Sequence, residues 1–145
     1  MTQALSVMDS FEGENVYLIT LDFPNIRNLS INGLKEIYKV RLWFGYSMKL
    51  GVPFTLLVSF WTIFKIFFKK RPHLIFSTGS EIAVPAFFVG KFLFRARTIY
   101  MESLTRVHSL SMTGKLLYRF ADVFLVQWKE LIKKYNKAIY RGRLI

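Results

Sequence analysis

From His73 onward, short β-forming runs alternate with helix-forming runs, and that alternation leaves few folds open to the chain. Residues 73–77 (His-Leu-Ile-Phe-Ser), 97–101, 122–127 and 137–140 are predicted strands, and residues 81–94, 111–121 and 129–134 are predicted helices. Strand, helix, strand at this spacing implies right-handed crossovers and a parallel sheet covered on both faces. The expected fold class is therefore α/β with a Rossmann-like parallel sheet, in a single domain over 1–145 with no internal repeat.

The earlier part of the chain is less regular. Leu5 and Met8, with Ala4 and Phe11, fall at helical spacing over residues 2–11, with Thr2 placed to cap. Residues 15–21 form a β-rich run, and Pro24, Asn25, Asn28, Ser30 and Asn32 mark a loop. A further short strand is expected over 39–43. A helix beginning at residue 2 leaves the sheet without the opening strand of a doubly wound fold. The first residues carry neither a basic region nor a sustained apolar run, so no signal peptide is read there and the cytoplasm is the expected compartment.

Residues 52–71 read as one apolar helix, with Pro53 suited to its first turn. On a helical wheel Leu56, Phe60, Ile63 and Phe67 form one row and Leu57, Trp61, Phe64 and Phe68 the next. Thr55, Ser59, Thr62, Lys65 and Lys69 take the remaining face. A membrane span needs about 20 apolar residues, and Lys65 interrupts this run. The expected arrangement buries one row in the core and offers Trp61, Phe64 and Phe68 to a membrane surface, with Lys65, Lys69, Lys70 and Arg71 suited to anionic headgroups. A short membrane-inserted helix and a wholly buried core helix are the other readings.

Charge is divided along the chain. Residues 1–64 balance five basic side chains (Arg27, Lys35, Lys39, Arg41, Lys49) against five acidic ones (Asp9, Glu12, Glu14, Asp22, Glu36), so the whole net charge of +12 arises beyond Phe64. A field of that sign favours phosphate, as nucleic acid, lipid headgroup or pyrophosphate. No nucleic-acid reader motif is present, and nucleic acid is not the expected partner. The chain has no cysteine, and its two histidines, His73 and His108, lack metal-ligand spacing, so no metal or cofactor is called for. Neither a nucleophile triad nor a carboxylate pair for hydrolysis can be assembled.

In open parallel sheets, ligands collect beyond the carboxyl ends of the strands. Three turns stand there. In Thr78-Gly79-Ser80-Glu81, Gly79 permits a tight turn and Ser80 can cap the next helix, which suits either an anion site or an ordinary strand-to-helix turn. In Glu102-Ser103-Leu104-Thr105-Arg106, Glu102 can meet sugar hydroxyls or position a proton, or else pair with Arg106. In Gln127-Trp128-Lys129-Glu130, Trp128 can stack on a sugar or serve as packing.

The run from Phe76 to Pro85 (Phe-Ser-Thr-Gly-Ser-Glu-Ile-Ala-Val-Pro), with Tyr100-Met101-Glu102-Ser103 and the segment from Ala121 to Trp128, resembles the PssD-type subunit of bacterial polysaccharide synthesis. That family is similar to the membrane-anchoring subunit of the two-subunit UDP-N-acetylglucosamine transferase of asparagine-linked glycosylation, and to the acceptor domain of MurG. The resemblance covers residues 1–145 and is strongest from His73. It implies the N-terminal, acceptor-binding half of a GT-B glycosyltransferase at the cytoplasmic face of the membrane. A separate donor-binding subunit would supply the UDP-sugar, and a polyprenyl-pyrophosphate-linked saccharide would be the acceptor. Thr78, Gly79, Ser80 and Glu81 match the family's glycine turn. Glu102 falls on the acid of the His-Glu-Gln-Asn segment of MurG-like proteins, which makes it the catalytic candidate, with Ser103 and Arg106 as neighbouring acceptor contacts. Here that segment reads Met101-Glu102-Ser103-Leu104, keeping only the acid. Family members usually open with a strand ending in Ser-Gly-Gly-His. This sequence starts in what resembles the following helix, so that strand and its histidine are expected either to be lost or to lie upstream.

Overall fold

Parallel pairing dominates the computed structural model, which describes residues 6–21, 34–40 and 51–144. A short 3-10 helix, Met8–Phe11, leads into β1 (Val16–Leu21), which pairs in parallel with β2 (Leu34–Val40). Then come α1 (Gly51–Lys70), β3 (Leu74–Ser77) and α2 (Ala83–Phe88), which runs on as a π-helical segment, Val89–Leu93. β4 (Arg97–Met101), α3 (Met112–Leu117), β5 (Val123–Val126), α4 (Lys129–Ile132) and β6 (Ala138–Tyr140) complete the order. The last four strands form one parallel sheet, β3-β4-β5-β6, and β1-β2 form another. The α/β class with sequential parallel strands is as the sequence predicts. Among the described residues, one edge of β1 and one edge of β3 have no ladder partner, so the sheet stands in two pieces.

Two apolar clusters hold these layers. In the first, Tyr100 and Phe124 stack 5.0 Å apart on neighbouring strands and pack with Phe87, Leu117 and Leu131 from the covering helices. The second lies under α1, where Ile63 and Phe67 meet Ile19, Leu21 and Val40 of one sheet and Ile75 of the other. Withdrawing a side chain of that size from water contributes about 1.5–3 kcal/mol, so α1 is the adhesive between the sheets. Gly90 lets the π-helical segment lie close on β3, since a Cβ there would stand 1.9 Å from Ile75 Cδ1. α1 gives way to Arg71 and the π-helical segment to Arg95, both in left-handed backbone at φ 45° and 55°. Each stands at the amino edge of the following strand.

Several elements differ from expectation. Ser59, assigned to a polar face, is buried, while Phe60, assigned to the core row, is 39% exposed. The buried stripe runs through Ser59, Ile63 and Phe67 at four-residue steps, because α1 faces two sheets at once. β2 begins at Leu34 rather than residue 39, drawn out by its ladder with β1, and residues 41–43 lie outside the described residues. The same is true of the loop residues from Pro24 to Asn32 and of Thr2, Ala4 and Leu5; the described part of the first predicted helix is the 3-10 turn. α3 stops at Leu117 instead of residue 121. There the Phe120 and Ala121 N–H groups both bond the Leu117 carbonyl and turn the chain into β5.

That turn delivers Asp122 to Thr98. The carboxylate accepts from the Thr98 N–H (2.9 Å) and hydroxyl (2.8 Å) and from the Lys91 ammonium, tying β5, β4 and the π-helical segment together. Burial pushes the Asp122 carboxyl up, but the Lys91 and Thr98 bonds outweigh it and hold the group below its usual value. The stability it adds is present above the unfolded-state value of about 3.9 and is lost as pH falls through the lower folded value. Asp122→Asn is therefore expected to melt below the parent at pH 7, with the gap closing under about pH 4. A gap in melting temperature that stays constant down to pH 2.5 would show that the charge is not responsible.

Candidate functional site

β3, β4 and β5 carry the three candidate turns to one edge of the four-stranded sheet, and the structure brings them into contact. Gly79 sits at φ 97°, a conformation side chains rarely adopt, and a Cβ there would stand 3.4 Å from the Tyr100 hydroxyl and 3.9 Å from Ser103 N. The turn of residues 78–81 therefore lies directly against residues 102–103. Ser80 does not cap the helix. The N-cap position is Ile82, without a side-chain cap, and the Ser80 carbonyl accepts from Ala83 N–H at 3.0 Å. Thr78 and Gly79 are half-buried, and Ser80 and Glu81 face solvent.

Glu102 occupies the centre of this edge and is 0% exposed. One carboxylate oxygen accepts from Ser103 N–H (2.9 Å), and the other from Ser111 N–H (2.9 Å) and the Ser111 hydroxyl (3.1 Å). Ser111 is also the N-cap of α3, its hydroxyl oxygen accepting from Gly114 N–H at 2.9 Å. The Tyr100 hydroxyl lies 3.2 Å from the same oxygen, and burial pushes its phenol well above the usual range; since the Ser111 hydroxyl proton goes to Glu102, Tyr100 is the donor of this pair. The alternative of an ion pair with Arg106 is not what forms. No such pair exists among the described residues, and Arg106 is exposed at the end of a turn closed by its N–H to Ser103 O (3.0 Å). Ser103 and Thr105 present hydroxyls 3.0 Å apart on that turn.

The third turn is bound to the second. Gln127 Nε2 donates to Glu102 O (3.0 Å) and Trp128 Nε1 to Leu104 O (2.7 Å). Trp128, a candidate for stacking on sugar, instead has one face covered by the Arg143 guanidinium, 3.9 Å from the ring centre. Ser111, Gly114 and Arg143 were not among the sequence candidates. Ser111 ahead of a helical run carried a readable capping signal, and Gly114 inside that run marked a close approach.

A second candidate surface lies on α1. Leu57, Trp61 and Phe68 are 69%, 62% and 65% exposed, and Phe92 and Leu93 of the π-helical segment are exposed as well. Phe64 is half-buried, stacking with Trp61 at 5.9 Å and meeting Phe68 and Phe94. Lys65 lies over Trp61, and Lys69 and Arg71 are exposed. Lys70 departs from its expected headgroup role, because it bonds Glu36 on β2 at 2.8 Å and lies over the Tyr17 ring. Phe68, Arg71, Pro72, His73, Leu93 and Phe94 line an open cavity of about 390 Å³. No described helix is long and apolar enough to cross a membrane. Because α1 leads straight into β3, its cationic end stands at the amino edge of that strand and the three turns at the carboxyl edge, separated by the length of the four-residue β3, about 13 Å.

A parallel α/β unit with three turns in contact at one edge and an apolar, cationic helix along its flank defines the class. Residues 27–144 match the family model described as "Oligosaccharide biosynthesis protein Alg14 like", and the chain belongs to that family. It is similar to the "UDP-N-acetylglucosamine transferase subunit ALG14" of Yarrowia lipolytica, 43% identical over 143 residues, covering 95% of this chain and 63% of that protein. The rat protein of the same name is 36% identical over 134 residues, covering 87% and 62%. The human one is 37% identical over 97 residues, covering 63% and 45%. The chain thus spans about half to two thirds of the length of these curated relatives.

Gly114 offers a direct check on the site. In an unencumbered helix, alanine in place of glycine stabilises by about 1 kcal/mol, but here the Cβ would stand 2.1 Å from Glu102 Oε2. Gly114→Ala is expected to destabilise by about 1–3 kcal/mol in denaturant titrations. A gain in stability would contradict the packing described.

Proposed function

We propose that the chain is the membrane-associated, acceptor-binding component of a two-component glycosyltransferase. It works with a separate donor-binding subunit to transfer a sugar from a UDP-sugar to a polyprenyl-pyrophosphate-linked saccharide in polysaccharide or glycan biosynthesis. The observation that carries this reading is the family match over residues 27–144, joined to relatives named as subunits of a UDP-N-acetylglucosamine transferase. The geometry supports it: Thr78, Gly79, Ser80, Glu81, Ser103 and Arg106 lie on two turns in contact at the edge where parallel sheets gather ligands. A hydroxyl-lined turn ending in an exposed arginine suits a sugar next to a phosphate. Co-expression with its donor-binding chain is expected to yield transfer from UDP-N-acetylglucosamine to a polyprenyl-pyrophosphate-linked sugar, with little from either chain alone. Full transfer by this chain alone, or failure to pair, would refute the two-component reading.

The membrane in this reading is met by the outward row of α1 at its cytoplasmic face. Trp61 and Phe68 enter the interface while Lys65, Lys69 and Arg71 meet anionic headgroups. Each large apolar side chain withdrawn from water is worth about tenfold or more in partitioning. Trp61→Ser/Phe68→Ser is therefore expected to sediment with phosphatidylglycerol vesicles at least tenfold more weakly than the parent, and raising the salt is expected to weaken the parent too. Equal sedimentation by a folded double variant would sink this part.

A further inference from the structure

We infer that Glu102 is a positioning residue that fixes the loop of residues 103–111, rather than a group that touches the reacting atoms. Its carboxylate is wholly enclosed and each oxygen is already engaged: one by Ser103 N–H at the start of the loop, the other by both donors of Ser111 at its end. A carboxylate that accepts protons from a substrate must stand within hydrogen-bond reach of it. Glu102 can reach one only if the loop opens. Two backbone N–H groups and a hydroxyl directed at one buried anion make strong, charge-assisted bonds, and these close the seven residues between Ser103 and Ser111 into a staple.

The surroundings are built for this purpose. Gly114 leaves the volume that Oε2 fills, Tyr100 braces the Ser111 hydroxyl, and Gln127 and Trp128 hold the Glu102 and Leu104 carbonyls from the turn after β5. What the staple holds in place is the outward turn with the Ser103 and Thr105 hydroxyls and Arg106. Its consequence for the reaction is therefore in holding the acceptor, since Glu102 orders the contacts before the acceptor arrives and so lowers the entropic cost of binding.

The kinetic part of this inference rests on the acceptor reading proposed above; the structural part does not. The test compares Glu102→Gln, Ser111→Ala and Ser111→Thr in the full chain, alone and paired with its donor-binding subunit. Glutamine replaces one acceptor oxygen by a donor, and alanine removes the hydroxyl, whereas threonine keeps it. Amide hydrogen exchange over residues 103–111 is expected to rise about ten- to a hundredfold in Glu102→Gln, less in Ser111→Ala, and to stay at the parent rate in Ser111→Thr. With the paired enzyme, KM for the lipid-linked acceptor rises about tenfold or more while kcat changes less than about threefold and KM for the UDP-sugar is unchanged. In acceptor KM the double variant Glu102→Gln/Ser111→Ala falls short of the sum of the two single changes, because the Glu102–Ser111 contact is shared, while loss of the α3 cap shows separately as a drop in stability. A kcat loss beyond about a hundredfold with loop protection intact makes Glu102 catalytic and overturns the inference. Unchanged exchange in Ser111→Ala overturns it also, and decides the matter if Glu102→Gln does not fold. If the parent pair transfers no sugar, the acceptor reading fails while the exchange data still decide whether the staple exists.

Discussion

The structure depends first on one helix that packs against two sheets. Among the described residues no ladder joins β1 to β3, so the two pieces are held by side chains, and α1 supplies them through Ile63 and Phe67. That duty sets the face α1 turns inward and, by exclusion, the face it turns outward. Lys70 reinforces the arrangement from the end of the helix, reaching Glu36 on β2 and the ring of Tyr17 on β1. An apolar outward row on such a helix is not required by its inward duty. Leu57, Trp61 and Phe68 are surplus to the core, and that surplus is the physical ground for seeking a hydrophobic environment outside the protein.

The other end of the molecule is organised by polar contacts. Strands β3 to β5 deliver three turns to a single edge: the second accepts hydrogen bonds from Gln127 and Trp128 of the third, is pinned by Ser103 and Ser111 donating to Glu102, and packs against Gly79 of the first. The two ends follow different physics: greasy and cationic at the end of α1, polar and tightly bonded at the turns. The proposed acceptor, a lipid-linked saccharide, has the same division in its own chemistry, with an apolar tail, an anionic link and a polar sugar.

Much of this was legible because local pattern and tertiary context agree. The strand over residues 97–101 appears with the bounds predicted, since a run whose alternate residues, Thr98 and Tyr100, are buried admits little else. The alternation of strands and helices was likewise enough for the parallel sheet. What escaped the sequence depends on partners far along the chain. Ser59 is buried because α1 faces two sheets, β2 begins early because β1 extends it, and Lys70 turns inward because Glu36 is within reach. Glu102 is the sharpest case. A lone carboxylate after a strand points to chemistry, and only the folded loop, with Ser103 N–H on one oxygen and Ser111, nine residues on, at the other, reveals that both are committed within the fold.

Arg71 and Arg95 merit a different consideration. Each begins the connection from a helix to a strand in left-handed backbone, where a side chain costs about 1–2 kcal/mol and glycine almost nothing. Backbone economy alone would favour glycine at both, yet each carries an exposed guanidinium. Stability and surface charge thus pull in opposite directions at the same two residues. A library screened only for heat resistance would drift toward glycine there, and would take two positive charges from the amino edge of the sheet, where Arg97 stays exposed.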